Sequence, residues 1–315
     1  MPSTDNRAAQ KILIIKLGYS ETLIPDIRQT CSLGDVFRST VLLHLFKDDH
    51  VTWLTDRAAI PLLEGNPYIQ RILPFDLLSV LQLEEERFDR VINLEKIPGV
   101  CAMVGQIDAW AHSGFRFDKE TGTAQAFDRA HDALAVATRE DVKELEGTCW
   151  AEVLYSMLGK EWHGESYILG HKPKTEVEYD LGFNMHVGRL IPLKAWPREH
   201  WDELAELVKG EYTVTYQQHL EDLRGYMDWI NTCRMLITND SLGLYLGIAL
   251  GKKVLGLFGP TPATDQSPHE RLRTLTPDLD WDCIPCLKSD CARGDPCMAR
   301  LTPEKVLAAI REWGV

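Results

Sequence analysis

The sequence predicts an α/β protein of two domains, each built on a parallel sheet covered by helices. Three observations support this prediction. The chain has 315 residues, about twice the usual domain length of roughly 150 residues. Its apolar runs are short and rich in Ile, Leu and Val, and most of them precede a stretch with helical periodicity. Near-continuous apolar strands that alternate with helices are typical of parallel sheets buried on both faces.

The predicted strands form two sets. The first set is residues 11–17, 51–55, 71–74 and 90–94, and the second is residues 180–183, 212–216, 235–239 and 253–258. The Gly-, His- and Lys-containing stretch 159–174 separates the two sets, so we expect one domain over residues 1–170 and another over 171–315.

Helices are predicted between the strands. They cover residues 36–46, 57–63, parts of 125–159, 197–208, 220–233 and 303–313. In the stretch 197–208, Trp201, Leu204, Ala205 and Val208 follow the i, i+3, i+4, i+7 spacing of an amphipathic helix. Thr302 precedes the last helix and is a suitable N-cap residue.

The charge and the apolar pattern exclude some classes of protein. The net charge is -13 and the pI about 5.3, which argues against a broad nucleic-acid surface because such surfaces need clustered Lys and Arg. No apolar run reaches the roughly 18 residues of a membrane span, and the N-terminus is polar. We therefore expect a cytoplasmic protein whose eight cysteines are thiols or metal ligands.

Three motifs lie at expected strand–helix junctions, where open α/β sheets bind ligands. Residues 32–35 (SLGD) contain Gly34, which suits a tight turn, and Asp35, which is either a helix-start carboxylate or a general base. Residues 239–245 (NDSLGLY) are either an ordinary helix start or a phosphate site, with Ser241 and Gly243 small enough to admit a ligand. Residues 258–261 (FGPT) are either a plain turn or part of the same ligand site.

The order of these motifs resembles glycosyltransferase family nine, the heptosyltransferases of lipopolysaccharide assembly. The resemblance includes SLGD, the run from LITNDS at 236–241 to ALGKKVLGLFGPT at 249–261, VTWL at 51–54 followed by LEGNP at 63–67, and KAWP at 194–197. It implies the GT-B architecture of two facing Rossmann-like domains. It also implies an inverting mechanism without a catalytic metal.

The resemblance implies roles for single residues. Asp35 matches the catalytic base, Lys194 matches a basic residue that steadies the donor diphosphate, and Asp240 and Ser241 match the loop that receives the phosphates. The other residues predicted to bind the donor are Gly243, Tyr245, Gln217 and Thr261.

The sequence also departs from the family pattern. Leu242 stands where the family has glycine, and Tyr245 stands near the place of a histidine. Gln217 occupies a loop in which the family often has an acidic residue for the ribose. The segment 18–31 is an insertion beside the expected acceptor side, so the resemblance does not identify the acceptor.

Four cysteines lie close together in the sequence near the end of the chain: Cys283, Cys286, Cys291 and Cys297. Four thiolates can hold a structural Zn²⁺ or an Fe–S cluster. A structural metal, free thiols and a labile disulfide all remain open, whereas a catalytic metal is disfavoured because the motifs already supply a base and a phosphate site.

The resemblance thus implies an inverting, metal-independent glycosyltransferase, for which no cofactor is expected. By resemblance, its donor is a nucleotide-diphosphate sugar such as ADP-heptose, and its acceptor is a hydroxyl of a glycan, a glycolipid or lipopolysaccharide. Two alternatives remain open: a non-catalytic nucleotide-sugar-binding protein, and a protein whose cysteine cluster holds a metal or an Fe–S centre. Peripheral contact with the inner face of the inner membrane also remains open, whereas no nucleic-acid partner is expected.

Overall fold

The computed structural model describes residues 8–19, 30–127, 129–131, 149–219, 221–266 and 268–315. The chain forms two compact units. The first unit contains the described residues up to 131 together with Ala151–His163, and the second contains Gly164–Val315 with Cys149 and Trp150. Residues 20–29 of the predicted insertion, and 132–148 of the predicted helical stretch 125–159, lie outside the described residues.

The first unit contains a six-stranded sheet in the order β3-β2-β1-β4-β5-β6. Its strands are β1 (Lys11–Ile15), β2 (His50–Thr55), β3 (Arg71–Pro74), β4 (Arg87–Asn93), β5 (Asp108–Phe117) and β6 (Ala124–Ala126). The strands β1 to β5 are parallel, and β6 is antiparallel to β5. The order 3-2-1-4-5 is that of a doubly wound sheet, and its direction changes between β1 and β4.

Short helices accompany this sheet. They are α1 (Leu33–Arg38), α2 (Ile60–Leu63), α3 (Leu77–Glu84), α4 (Pro98–Val104) and α5 (Trp150–Met157), the last of which spans residues of both units. The helix predicted over 36–46 begins earlier, as α1, and continues as a 3₁₀ helix over Ser39–Phe46. The hydroxyls of Ser39 and Thr40 donate to the carbonyls of Asp35 and Phe37, both at 2.7 Å. Such side-chain bonds to nearby carbonyls compete with regular α-helical bonding.

The second unit contains a five-stranded parallel sheet in the order β11-β10-β9-β7-β8. Its strands are β7 (Tyr179–Asn184), β8 (Val214–Tyr216), β9 (Cys233–Asn239), β10 (Lys253–Leu257) and β11 (Leu272–Leu275). Numbered within the unit, this is the doubly wound order 2-1-3-4-5, and its direction changes between β7 and β9. Ligands of such sheets bind beyond the carboxyl ends of the strands at this point.

The helices of the second unit are α6 (Arg198–Leu207), α7 (Leu223–Asn231), α8 (Leu242–Ala249) and α9 (Pro303–Trp313), with 3₁₀ turns at Pro192–Lys194, Ala263–Asp265 and Cys297–Arg300. The predicted cap of α9 is confirmed, because the side chain of Thr302 accepts a hydrogen bond from the backbone of Lys305. Among the described helices, none combines the length and apolar composition that a bilayer-spanning segment requires.

Each unit has its own apolar core. In the first, Leu13, Ile15 and Val91 of the central strands are fully buried. In the second, Trp201 of α6 lies 5.3 Å from the ring of Phe183 and 4.9 Å from that of Trp196. Burying a large apolar side chain stabilises a fold by about 1.5–3 kcal/mol, so these rings anchor both α6 and the loop before it.

Candidate functional site

Asn184, the last residue of β7, organises the point at which the second sheet changes direction. It is fully buried, and its neighbour in β9 is Thr238. Its Nδ2 donates to Thr238 Oγ1 at 2.7 Å and to Ser241 Oγ at 3.0 Å. Its Oδ1 accepts from the hydroxyl of Tyr226 at 2.6 Å. These bonds fix the β9–α8 junction, because an unpaired buried polar group costs about 1–3 kcal/mol.

The helix α8 begins at this junction. Ser241 occupies the N-cap position, but its side chain makes no capping hydrogen bond, and its hydroxyl oxygen accepts from Asn184 instead. The first turn of α8 contains no acidic residue. Backbone amides at a helix start and the positive end of the helix dipole favour an anion. This junction can therefore receive a phosphate group.

Gly243 allows α8 to pack closely against the strands. A Cβ at this position would lie 2.4 Å from Asn184 Nδ2 and 2.5 Å from the Tyr226 hydroxyl. The sequence suggested that this glycine leaves room for a ligand. In the structure, atoms of the protein itself occupy the space beside it, so a side chain here would displace α8.

An ion pair lies at the same junction. Lys194 Nζ is 2.8 Å from Asp240 Oδ2, and the side chains are 23% and 6% exposed. The hydroxyl of Tyr245 donates to Asp240 Oδ1 at 3.4 Å, and its ring contacts Tyr167 edge-on at 5.5 Å. The structure thus brings Lys194 together with Asp240 and Tyr245 of the motif at residues 239–245. An ammonium has three N–H donors, so Lys194 can hold Asp240 and a further anion at once.

Asn239 attaches the loop that carries Lys194. Its Oδ1 accepts from the backbone N–H of Trp196 at 3.0 Å, and its Nδ2 donates to the carbonyl of Met185 at 2.6 Å. The indole Nε1 of Trp196 donates to the carbonyl of Leu301 at 2.7 Å. Trp196 is buried, so it anchors the loop.

Gln217 and Thr261 have different surroundings. Gln217 Oε1 accepts from the backbone of His186 at 2.9 Å, so this oxygen already has a partner in the protein. Thr261 follows β10 and is 7% exposed, and within the part of the chain that the structure describes its Oγ1 has no hydrogen-bond partner. A buried hydroxyl without a partner is unusual, and a bound ligand would satisfy it.

Asp35 lies in the first turn of α1 in the first unit. Its Oδ1 is 3.2 Å from Arg38 Nε, and its side chain is 41% exposed. Gly34 is a helical residue of α1, so the tight turn predicted there is wrong. Gly18, which follows β1, is the glycine with a positive φ in this part of the structure, at 76°. Its missing Cβ leaves room for the Ser32 carbonyl, which would be 2.7 Å away.

The four clustered cysteines line one small cavity of about 20 Å³. All four are free, and they range from exposed Cys283 to buried Cys297. Burial raises the pKa of Cys297 to about 11, and the neighbouring thiols add to this. Among the described residues, no three His, Cys, Asp or Glu side chains are arranged to hold a metal ion. The loop contacts the FGPT turn, because the amides of Cys286 and Leu287 donate to the carbonyl of Pro260 at 3.0 and 2.8 Å.

The role of Asn184 was not predicted from the sequence. The available signal was the position of Asn184, a polar residue at the carboxyl end of the strand YDLGFN. The order of the strands was needed to interpret it, because only that order locates Asn184 where the sheet changes direction.

The sequence is similar to curated heptosyltransferases over part of its length. No protein-family profile matches it. Proteins named lipooligosaccharide heptosyltransferase 2 are 35% identical over 81 residues in Campylobacter jejuni and 24% identical over 182 residues in Haemophilus influenzae. These alignments cover 25% and 49% of this chain, and 26% and 51% of the relatives. The chain therefore matches between about a quarter and about half of the length of these relatives.

The fold is that of known glycosyltransferases. The structure of a glycosyl transferase of family 9 from Veillonella parvula is 18% identical, with a TM-score of 0.67 over 96% of both chains. In particular, the fold matches the heptosyltransferase WaaC of E. coli solved with ADP-2-deoxy-2-fluoro heptose, at 15% identity and a TM-score of 0.62 over 96% of this chain and 100% of that one. The iron-containing glycosyltransferase TibC of E. coli gives 10% identity and a TM-score of 0.61 over 96% and 76%. The predicted resemblance to glycosyltransferase family nine is confirmed.

Proposed function

We propose that the protein is an inverting glycosyltransferase that moves a heptose from ADP-heptose to a hydroxyl of a lipopolysaccharide-type acceptor. The observation that carries this proposal is the ion pair of Lys194 and Asp240 beside the start of α8, at the edge of the second sheet where such folds bind ligands. The ADP-heptose analogue bound to WaaC supports the choice of donor. In this proposal residues 1–170 serve the acceptor and residues 171–315 bind the donor. The facing arrangement of the two domains stays a prediction.

The proposed reaction needs a base and a site for the leaving group. Asp35 accepts the proton of the acceptor hydroxyl as its oxygen bonds to the anomeric carbon. The bond from that carbon to the β-phosphate oxygen breaks on the opposite face, so the configuration inverts and ADP leaves. Lys194 and the first amides of α8 stabilise the negative charge of the departing diphosphate, an effect worth several kcal/mol in comparable preorganised sites.

The roles of the other predicted donor residues follow from their contacts. Tyr245 keeps the Asp240 carboxylate in place, and Gly243 sets the position of the α8 amides. Thr261 offers its buried hydroxyl to the donor. Gln217 supports the loop after β7 through His186, and we assign it an indirect part in holding the nucleoside.

Binding and turnover are tested separately. The purified protein is heated with ADP-heptose, ADP, UDP-glucose and GDP-mannose in turn. A ligand at about a hundred times its Kd stabilises the folded state by about 2.7 kcal/mol, so ADP and ADP-heptose should raise the melting temperature more than the other two. In the second assay, a heptose-deficient lipopolysaccharide core serves as the acceptor and EDTA is present. We expect the protein to transfer heptose from ADP-heptose to this core.

Each result has a defined meaning. Stabilisation without release of ADP would favour the non-catalytic binding protein over the enzyme. Transfer that EDTA abolishes and Mg²⁺ restores would contradict the metal-free mechanism. Stabilisation by UDP-glucose alone would show that the donor is not ADP-heptose.

A further inference from the structure

A buried ion pair lies where the sheet of the first unit changes direction. Lys16 follows β1 and Glu95 follows β4, and these strands are neighbours. Lys16 Nζ is 3.1 Å from Glu95 Oε1, and the two side chains are 4% and 1% exposed. A buried ion pair is weak evidence for stability, because apolar residues of similar volume often serve a core as well or better. Its place at the ligand edge of the sheet points to another role.

The Glu95 carboxylate binds the chain that leaves β1. Its Oε1 accepts from the backbone N–H groups of Leu17 at 2.9 Å and Gly18 at 3.0 Å. The backbone of Glu95 is fixed in turn by Asn93. Asn93 Oδ1 accepts from the Glu95 N–H at 3.0 Å, and Asn93 Nδ2 donates to the Phe115 carbonyl at 2.8 Å. Through Asn93, the Glu95 backbone is therefore attached to β4 and β5 of the sheet.

The contacts continue from Gly18 to α1. The carbonyl of Gly18 accepts from the N–H of Ser32 at 2.5 Å, and the carbonyl of Ser32 accepts from the N–H of Asp35 at 3.1 Å. Gly18 tolerates this approach only because it has a positive φ and no Cβ. Two successive backbone hydrogen bonds thus connect the residue that Glu95 holds to Asp35.

We propose that Glu95, held by Lys16, is a positioning residue that fixes the first turn of α1 and thereby the carboxylate of Asp35. The proposal rests on the proposed function, in which Asp35 is the base. Glu95 is too deeply buried to touch an acceptor, whereas Asp35 is partly exposed. The hydrogen-bond acceptor at position 95 is therefore the essential feature, and the charge of Lys16 keeps it in place.

Two double variants isolate this acceptor. Lys16→Met/Glu95→Gln removes both charges but keeps an oxygen that can accept from Leu17 and Gly18. Lys16→Met/Glu95→Leu removes both charges and the oxygen. Neither variant leaves an unpaired buried charge, the main cause of unfolding when one partner of such a pair is removed. Glu86→Gln is the control, because it breaks another ion pair of the first unit, in which Glu86 lies 2.7 Å from Arg71. Glu86 directly precedes β4, whereas Glu95 follows the other end of that strand.

The readouts are kcat and the donor KM with ADP-heptose and the heptose-deficient core, together with amide hydrogen exchange of Leu17 and Gly18. We expect Lys16→Met/Glu95→Leu to lower kcat by roughly 10–100-fold, as small misplacements of catalytic groups do, with an unchanged donor KM and faster exchange at both amides. Lys16→Met/Glu95→Gln should retain most of the wild-type kcat and most of the protection of the Leu17 and Gly18 amides from hydrogen exchange. Glu86→Gln should match the wild type.

The outcomes separate this inference from the proposed function. Equal kcat values for the Gln and Leu double variants, whether high or low, would overturn the positioning role. An Asp35→Asn variant with wild-type turnover would overturn the proposed base itself, whatever Glu95 does. If the Leu double variant does not fold, Glu95→Asp provides the comparison. It keeps the charge but withdraws the carboxylate from both amides, so wild-type kcat in that variant would also contradict the inference.

Discussion

At the scale of single residues, the proposed base gives the first prediction. We expect Asp35→Asn to reduce transfer by roughly 10²–10⁴-fold, the usual contribution of a general base, and to leave donor affinity unchanged. Stability should change little, because the partly exposed pair with Arg38 is of a kind worth about 0.2–0.5 kcal/mol. Turnover and donor affinity are measured together. Asp202→Asn is the control, since Asp202 forms a similar helix-surface pair with Arg198; turnover equal to that control would reject the base.

The second prediction concerns Lys194. We expect Lys194→Met to weaken donor binding, because the diphosphate loses a point charge, and to lower stability, because Asp240 keeps a buried charge. Breaking a fully buried pair costs about 3–5 kcal/mol, and Lys194 is 23% exposed, so the loss should be smaller. Lys194→Met/Asp240→Asn should recover stability but not donor affinity, as measured by calorimetry. Wild-type affinity in the double variant would show that Lys194 is only the counterion of Asp240.

Residue roles were predictable from the sequence to different degrees. The resemblance named Asp35, Lys194 and Asp240, but it could not show that the last two form an ion pair, because they are far apart in the chain. Gly243 was predicted to leave room for a ligand, because the sequence shows that a side chain is missing there but not which atoms fill the space. The structure shows Asn184 and Tyr226 there.

At the scale of elements, the third prediction concerns the loop between β7 and α6. Trp196→Phe removes the hydrogen bond from Nε1 to the Leu301 carbonyl, and one such bond contributes about 0.5–1.5 kcal/mol. We expect a lower melting temperature and weaker donor binding, because the same loop carries Lys194. Trp201→Phe is the matched control. Trp201 is equally buried, and its Nε1 has no hydrogen-bond partner within the described residues. Equal donor affinity in both variants would show that this anchor does not position Lys194.

The fourth prediction concerns the loop of residues 283–297, which contains the four clustered cysteines. Elemental analysis comes first, because a structural metal would protect all four thiols until a chelator removes it. In metal-free protein we expect iodoacetamide to label exposed Cys283 first and Cys297 last. Burial raises the pKa of Cys297 to about 11, which keeps it a neutral and unreactive thiol. Peptide mass spectrometry measures the order. Cys286→Ser should retain donor binding and transfer; loss of transfer alone, with an unchanged melting temperature, would place chemistry in this loop.

Of the eleven strands that the structure describes, the sequence indicated eight, including β3 at the edge of the first sheet, and missed three. The strands β1, β2, β9 and β10 are continuous apolar runs and were predicted within about two residues, the usual uncertainty of element ends. The strands β5, β6 and β11 were missed. The burial of β5 and β11 is mostly partial, so their sequences lack the continuous apolar run that identifies a strand buried on both faces.

At the scale of the whole molecule, strand order is what the sequence could not provide. Neighbouring strands such as β7 and β9 are separated by a strand and two helices in the chain, and their pairing depends on tertiary contacts that local patterns do not encode. Once the two orders are known, the candidate residues follow from the topology. Asn184 and Asp240 lie where one sheet changes direction, and Lys16 and Glu95 lie where the other does.

The fifth prediction concerns stability at high pH, because both units bury thiols. Burial raises the pKa of Cys101 to about 11 in the first unit and that of Cys233 to about 11 in the second, from an ordinary value of 9.0. Below about pH 9 these thiols are neutral in folded and unfolded chains alike, so their stabilising contribution is fully present. Between about pH 9 and 11 the unfolded chain releases their protons while the folded chain retains them. The free energy of unfolding should therefore fall, by at most about 1.4 kcal/mol per pH unit for each thiol.

Urea unfolding at several pH values between about 8 and 10.5 measures this loss. Cys101→Ala and Cys233→Ala each remove one titrating group, so the decline with pH should become shallower in either variant, even though the lost side-chain volume lowers stability at every pH. Cys233 packs against Gly182, where a Cβ would lie 2.4 Å from its sulfur, so its alanine variant should also be the less stable of the two at neutral pH. A decline that keeps the wild-type slope in both variants would show that ionisation of Cys101 and Cys233 does not cause the loss of stability at high pH.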